Sequence, residues 1–91
     1  MRKIEEIRAE LDAVDEEFLK VYKKRMALVA EMAKAKKDSG APISDPTREQ
    51  AIVRRLEENA GALAPYVGEL YEAVFSTSKR YQNALRGEDE R

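Results

Sequence analysis

The sequence predicts an all-α protein with three helices per chain, one long, one short and one medium, interlocked in a homodimer. Charged residues make up 38% and hydrophobic residues 43% of the 91 positions, with four glycines and three prolines. Such a mixture is typical of long helices. Apolar residues recur every seven positions along the first part of the chain, and the helix that they predict is too long for one compact chain of this length. Residues 1–91 are expected to form a single domain.

The first helix is predicted from a seven-residue repeat. One position of the repeat holds Ile4, Leu11, Phe18, Arg25 and Met32, and the other holds Ile7, Val14, Val21, Leu28 and Ala35. Because no glycine or proline interrupts residues 1–39, the repeat predicts one helix over about residues 3–38. The segment Asp38–Ser44 contains both glycine and proline and is predicted to be a loop.

Two shorter helices are predicted after this loop. Asp45 is the expected N-cap and Pro46 the first residue of a helix over about residues 46–59. A glycine and a proline then mark a break, and the third helix is predicted over about residues 65–86. The charged tail at 87–91 is expected to fray.

The length of the first helix predicts an assembly of two chains. About 36 helical residues extend roughly 54 Å, whereas a compact chain of 91 residues has a radius of gyration of about 12 Å. The two shorter helices cannot cover an apolar face of that length. A homodimer of interlocked helices is the simplest arrangement that covers it.

Composition excludes several classes of function. A formal net charge of −1 favours neither nucleic acid nor an anionic membrane as a partner, which makes an RNA-binding helical hairpin a poor interpretation. The absence of cysteine and histidine removes thiolate chemistry and the commonest general base and metal ligand. No apolar run approaches a membrane span or a signal peptide. The expectation is a cytoplasmic protein with no cofactor and no metal.

Two basic residues of the first helix indicate a pocket for an anion. Arg25 occupies an apolar position of the repeat, where an unpaired guanidinium is costly. Lys36 follows eleven residues later, which places both side chains on one side of the helix, roughly 16 Å apart. Two alternatives stay open. Arg25 could fix the register of a coiled coil by pairing with a glutamate, and Lys36 could complement the helix dipole.

Polar residues on the other two helices are candidate ligand contacts. Ser78 stands at an apolar position of the third helix, and Gln82 follows one turn later. Buried hydroxyl and amide groups need partners, which could be either a ligand or another helix. Arg48 and Glu49 lie in the first turn after the loop, where they could also form a surface ion pair.

Arg8 cannot reach the same pocket within one chain. It lies seventeen residues before Arg25, about 26 Å away and about 100° around the helix. In an antiparallel dimer the partner's long helix would pass near the pocket, so Arg8 would be contributed in trans. The alternative is an ordinary surface arginine.

Five segments resemble the small all-helical class of chorismate mutases in their order and spacing. They are Ile7–Asp15, Lys24–Arg25, Ala33–Lys36, Pro42–Glu49 and Ser78–Gln82. The resemblance implies an interlocked dimer of three-helix chains with two equivalent sites. It also implies conversion of chorismate to prephenate, for phenylalanine and tyrosine synthesis, in one pericyclic step that needs no cofactor.

The resemblance further implies roles for individual residues. Arg25 and the partner subunit's Arg8 would bind carboxylates of the substrate. Lys36 would contact a carboxylate and the ether oxygen, and Gln82 would contact the ether oxygen from the other side.

The remaining implied contacts surround the substrate ring. Glu49 and the backbone around Asp45 would bind the ring hydroxyl, and Ser78 and Arg48 would support the ring carboxylate. Candidates for the apolar lining are Val29, Met32, Ile52, Val53 and Phe75.

Two further functions remain open beside the mutase. A lyase on the same fold that removes pyruvate from isochorismate would use the same charged residues. A non-catalytic helical dimerisation module would need none of them.

Overall fold

The first helix, α1, runs from Ile4 to Ser39 in the computed structural model, which describes the backbone of residues 2–89 and the side chains of residues 2–87. It ends where Gly40 adopts a φ of 76°, a left-handed conformation that side chains disfavour. The amides of Gly40 and Ala41 donate to the carbonyls of Lys37 and Lys36. These bonds complete the last turn and direct the chain into the loop.

The second helix, α2, spans Pro46–Glu58 and begins as the sequence predicts. The Asp45 carboxylate accepts a hydrogen bond of 3.1 Å from the amide of Arg48, and proline occupies the start of the first turn. This cap fixes where the loop ends and which residues of the first turn project beside α1.

The third helix, α3, differs from the prediction at both ends. A 3₁₀ turn at Gly61–Leu63 leads directly into α3, which runs from Ala64 to Asp89 and therefore starts before the predicted proline. Gly87 does not end the helix, because a glycine with helical backbone angles costs only about 1 kcal/mol relative to alanine. Part of the tail that was expected to fray is therefore helical, and residues 90–91 lie outside the described residues.

The chain is elongated, with α3 packed against both α1 and α2. Its radius of gyration is 16.7 Å and its extents are 56 × 29 × 15 Å, compared with a radius of about 12 Å for a compact chain of this length. The predicted all-α class with three helices is confirmed. None of the described helices has both the length and the hydropathy that a membrane span requires.

The chain buries very little apolar surface by itself. Ala33 is the only buried hydrophobic residue among those described, whereas all eight large apolar residues of the seven-residue repeat are exposed. We call this set the α1 seam: Ile4, Ile7, Leu11, Val14, Phe18, Val21, Leu28 and Met32. Contiguous apolar surface of this kind is typical of a protein interface. The homodimer itself stays a prediction, because one chain does not test it.

Candidate active site

A cavity of about 350 Å³ lies between the second half of α1, the loop, the start of α2 and α3. Residues from all four segments form its wall, including all but one of the residues that the sequence singles out for a site. These are Arg25, Lys36, Asp45, Arg48, Glu49, Ser78 and Gln82. The missing residue is Arg8, which is exposed on the first half of α1.

The apolar part of the wall matches the expected lining only in part. Val29, Met32, Ile52 and Phe75 line the cavity, as do Leu28 and Ile43, which were not among the candidates. Val53 instead lines a separate groove between α2 and α3. It follows Ile52 by about 100° around the helix, so neighbouring residues of α2 face different surfaces. Ile43 lies in the loop, where helical periodicity gives no information.

Arg25 is half-buried and held by α3. Its Nη1 donates a hydrogen bond of 2.7 Å to Ser78 Oγ, and its guanidinium carbon lies 6.0 Å from the centre of the Tyr71 ring. That distance is at the limit of a cation–π contact. The Tyr71 ring packs edge-on against Phe75 at 5.5 Å. Arg25 forms no ion pair among the described side chains, and the glutamate partner of the coiled-coil alternative is not found there.

Ser78 and Gln82 are both buried, but their hydrogen bonding differs. Ser78 is 5% exposed, accepts from Arg25 and donates to the carbonyl of Val74 at 2.6 Å. Gln82 is 6% exposed, and its Oε1 has no hydrogen-bond partner in the described part of the chain. A buried polar atom without a partner is rare and costly. The hydroxyl of Ser78 is therefore hydrogen-bonded within the protein, whereas Gln82 Oε1 has no donor among the described residues.

Lys36 reaches from the last turn of α1 to the loop. Its Nζ donates a hydrogen bond of 2.9 Å to the carbonyl of Ile43. An ammonium has three donors, so this bond holds the side chain beside the cavity and leaves donors for an anion. The position near the end of α1 also suits the helix dipole, and the two roles are compatible.

Glu49 pairs with a lysine that the sequence analysis did not single out. Lys79 Nζ lies 3.3 Å from Glu49 Oε2 and 3.5 Å from Oε1, and both residues line the cavity. The alternative pairing of Arg48 with Glu49 is not found among the described ion pairs. The only sequence signal for Lys79 was its place between Ser78 and Gln82, which does not show which residue it would meet on α2.

The cavity carries an excess of positive charge. Four cationic side chains line it, Arg25, Lys36, Arg48 and Lys79, against the carboxylates of Asp45 and Glu49. The carboxylate of Asp45 is already engaged as the cap of α2. A small organic molecule with two negative charges and an apolar body would balance this charge and meet the apolar wall. Among the described residues, no cluster of side chains could hold a metal ion.

The family model described as chorismate mutase type II matches residues 7–83, which include both the cavity and most of the α1 seam. The chain belongs to the chorismate mutase type II family. The resemblance that the five sequence segments indicated is thereby confirmed, and it extends over the three helices together with the loop between α1 and α2.

Two curated relatives agree with this membership. The T-protein of Haemophilus influenzae is 34% identical over 86 aligned positions, which cover 91% of this chain and 23% of that protein. The chorismate mutase of Methanocaldococcus jannaschii is 36% identical over 58 positions, which cover 64% of this chain and 59% of that enzyme. The chain thus spans less than two thirds of the length of either relative. No solved structure gave a significant match.

Proposed function

We propose that this member of the chorismate mutase type II family rearranges chorismate to prephenate in the cavity between its helices, as a step towards phenylalanine and tyrosine. The observation that carries the proposal is the charge of the cavity. Four cations and two carboxylates line one apolar recess, and chorismate is a dianion with a hydrocarbon ring. Family membership supports the same assignment.

The proposed reaction suits a chain that has neither histidine nor cysteine. The ether C–O bond breaks while a C–C bond forms in one cyclic movement of electrons, so no proton is transferred and no atom is gained or lost. The protein has two tasks. It must hold a flexible dianion in the compact conformer that reacts, and it must stabilise the negative charge that grows on the ether oxygen.

Arg25 would hold a carboxylate of the substrate. Its guanidinium is already oriented by Ser78 Oγ and lies beside the Tyr71 ring. Since the side chain does not need to be ordered by the ligand, less of the binding free energy is lost in fixing it. Ser78 would then support the ring carboxylate through Arg25, together with Arg48 on the wall formed by the start of α2.

Lys36 and Gln82 would stabilise the ether oxygen in the transition state. Lys36 is fixed by the carbonyl of Ile43 and keeps donors free. The carboxamide of Gln82 is buried at the wall of the cavity, and its Nε2 is the atom that would donate to the ether oxygen. Donors in a low-dielectric cavity stabilise a developing negative charge more strongly than water does, because they need not reorient.

Glu49 would accept a hydrogen bond from the ring hydroxyl, together with the backbone around Asp45. Both residues lie on the wall formed by the start of α2. The Asp45 cap holds this turn in place, so the position of Glu49 follows from the helix start. This contact would orient the ring relative to Lys36 and Gln82.

The homodimer is part of the proposal. The α1 seam exposes large apolar side chains that no other part of the described chain covers. A second copy of the chain presents the same seam, which makes a symmetric interface possible. In that assembly the partner subunit's Arg8 would complete the binding of the substrate carboxylates.

The test is the loss of chorismate absorbance with purified protein, with prephenate identified as the product. We expect turnover by the wild-type protein, and a kcat about a hundred- to a thousandfold lower in a folded, dimeric Lys36→Ala variant. If the folded protein leaves chorismate unchanged but forms pyruvate and salicylate from isochorismate, it is the lyase. If it acts on neither substrate, the dimerisation module becomes the better interpretation.

A further inference from the structure

The ion pair between Lys79 and Glu49 joins α3 to α2 across one wall of the cavity. The lysine nitrogen lies within 3.5 Å of both carboxylate oxygens. The side chains are 36% and 25% exposed, so the pair is open to the cavity without being fully solvated. The proposed function counts Lys79 in the charge of the cavity but gives it no contact with the substrate.

Glu49 presents a physical difficulty for a site that binds a dianion. A carboxylate on the wall repels the carboxylates of the substrate, and the repulsion is stronger in a partly enclosed cavity than in water. The same carboxylate is the group that would accept the ring hydroxyl. The site therefore needs the acceptor oxygen of Glu49 and must offset its charge.

We propose that Lys79 is a positioning residue for Glu49, which it orients towards the ring hydroxyl while offsetting its charge. The inference rests on the proposed function. Lys79 is the only cation that pairs with Glu49 among the described side chains. A carboxylate has about four acceptor positions on its two oxygens, so the pair leaves room for the hydroxyl of the substrate.

Replacing Lys79 separates this role from a merely structural one. Lys79→Met keeps a long aliphatic side chain and removes the charge. We expect KM for chorismate to rise about tenfold, the scale of one lost charge-assisted interaction. We expect kcat to fall less than threefold, because the lost charge compensation weakens ground state and transition state alike. Lys79→Arg, which can still pair with Glu49, should recover most of the loss.

The matched controls are Lys34→Met and Lys79→Gln. Lys34 is exposed on α1 and does not line the cavity, so the loss of one positive charge there should leave KM within twofold. Lys79→Gln is a second neutral variant with different packing, and it should behave like Lys79→Met. A KM that changes equally in Lys34→Met would mean that only the overall charge matters, which would overturn the inference.

The deciding experiment is a double-mutant cycle with Glu49→Gln. If Lys79 acts through Glu49, Lys79→Met should change KM less than threefold in the Glu49→Gln background, because no carboxylate is left to offset. The double variant also keeps the cavity's excess of two positive charges. If Lys79 contacts the substrate itself, Lys79→Met should raise KM about tenfold in both backgrounds, and the inference fails. Absence of turnover in the wild-type protein would instead overturn the proposed function, and the inference with it.

Discussion

The two halves of α1 have the same seven-residue pattern and very different surroundings. Every residue from Ile4 to Val21 is exposed, although the apolar repeat is complete there. From Tyr22 onward, partly buried residues recur along the face that meets α3, and the Tyr22 hydroxyl bonds Thr77 Oγ1 at 2.6 Å. The second half therefore packs within the chain and lines the cavity, while the first half presents apolar surface outward. The same seven-residue pattern therefore accompanies packing against α3 in the second half of α1 and an expected contact with a second chain in the first half.

The strongest test of the second half is Lys36→Ala. Removing a preorganised donor to the ether oxygen should lower kcat about a hundred- to a thousandfold. Steady-state kinetics with chorismate would measure it, and circular dichroism would check that the helices remain. A folded variant with wild-type kcat would show that Lys36 and the cavity that it lines are not needed for catalysis.

The corresponding test of the first half is Leu11→Lys. A lysine in the middle of the α1 seam would be buried without a partner, so the dissociation constant of the dimer should rise at least about a hundredfold. Analytical ultracentrifugation over a range of concentrations would measure this. Glu16→Lys, on the opposite side of the same exposed stretch, is the matched control and should remain dimeric. Equal association of both variants would show that the seam does not form the interface.

Mixing two inactive variants tests both halves of α1 in one experiment. An Arg8→Ala protomer and an Arg25→Ala protomer should each be inactive alone. Mixed in equal amounts, they should recover about a quarter of the wild-type activity, because half of the dimers are mixed and each of those has one intact site. Exchange of subunits would be verified with differently tagged chains. Verified exchange without recovery of activity would exclude a site shared between chains.

A smaller effect is expected from pH. Gln82 is an amide and does not titrate, so the activity of the wild-type protein should change less than threefold between about pH 6 and pH 9. In Gln82→Glu the new side chain can donate to the ether oxygen only when protonated, and an ordinary glutamate loses its proton near pH 4.3. Its activity should fall as pH rises, measured as kcat/KM against pH. A sharp loss above pH 6 in the wild-type protein would mean that another group must remain protonated.

The smallest effect concerns the junction between α1 and the loop. Gly40 has a φ of 76°, so Gly40→Ala should lower the free energy of unfolding by about 1 kcal/mol. Gly68 lies inside α3, and an added Cβ there would meet no atom within 4 Å, so Gly68→Ala should raise the free energy of unfolding by a similar amount. Chemical denaturation would measure both. Changes in the free energy of unfolding of equal size and sign would show that the left-handed conformation of Gly40 does not make alanine unfavourable there.

Local patterns in the sequence predicted most of the fold. The three helices, the cap at Asp45 and the break at Gly40 depend on residues close in sequence, where periodicity and backbone preferences act directly. The end of α3 was predicted too early, since the sequence does not show whether a glycine such as Gly87 keeps helical angles.

The candidate site was predictable as a set of charges but not as a set of contacts. Arg25 was singled out because it interrupts the apolar repeat of α1, and Lys36 because it lies on the same side of that helix. Lys79 did not, because its partner depends on how α2 and α3 cross. For the same reason, the sequence could not show that Ser78 Oγ accepts a hydrogen bond from Arg25 while Gln82 Oε1 has no partner among the described residues.

The unpaired oxygen of Gln82 links the stability of the chain to its affinity. A buried amide oxygen without a partner costs the empty chain about 1 to 3 kcal/mol. A ligand or a second chain that donates a hydrogen bond to Oε1 would remove that cost on binding, whereas the ether oxygen of chorismate could only accept from Nε2. Replacing Gln82 by a hydrocarbon side chain of similar size would therefore make the unliganded chain more stable and lower its affinity for the ligand or second chain.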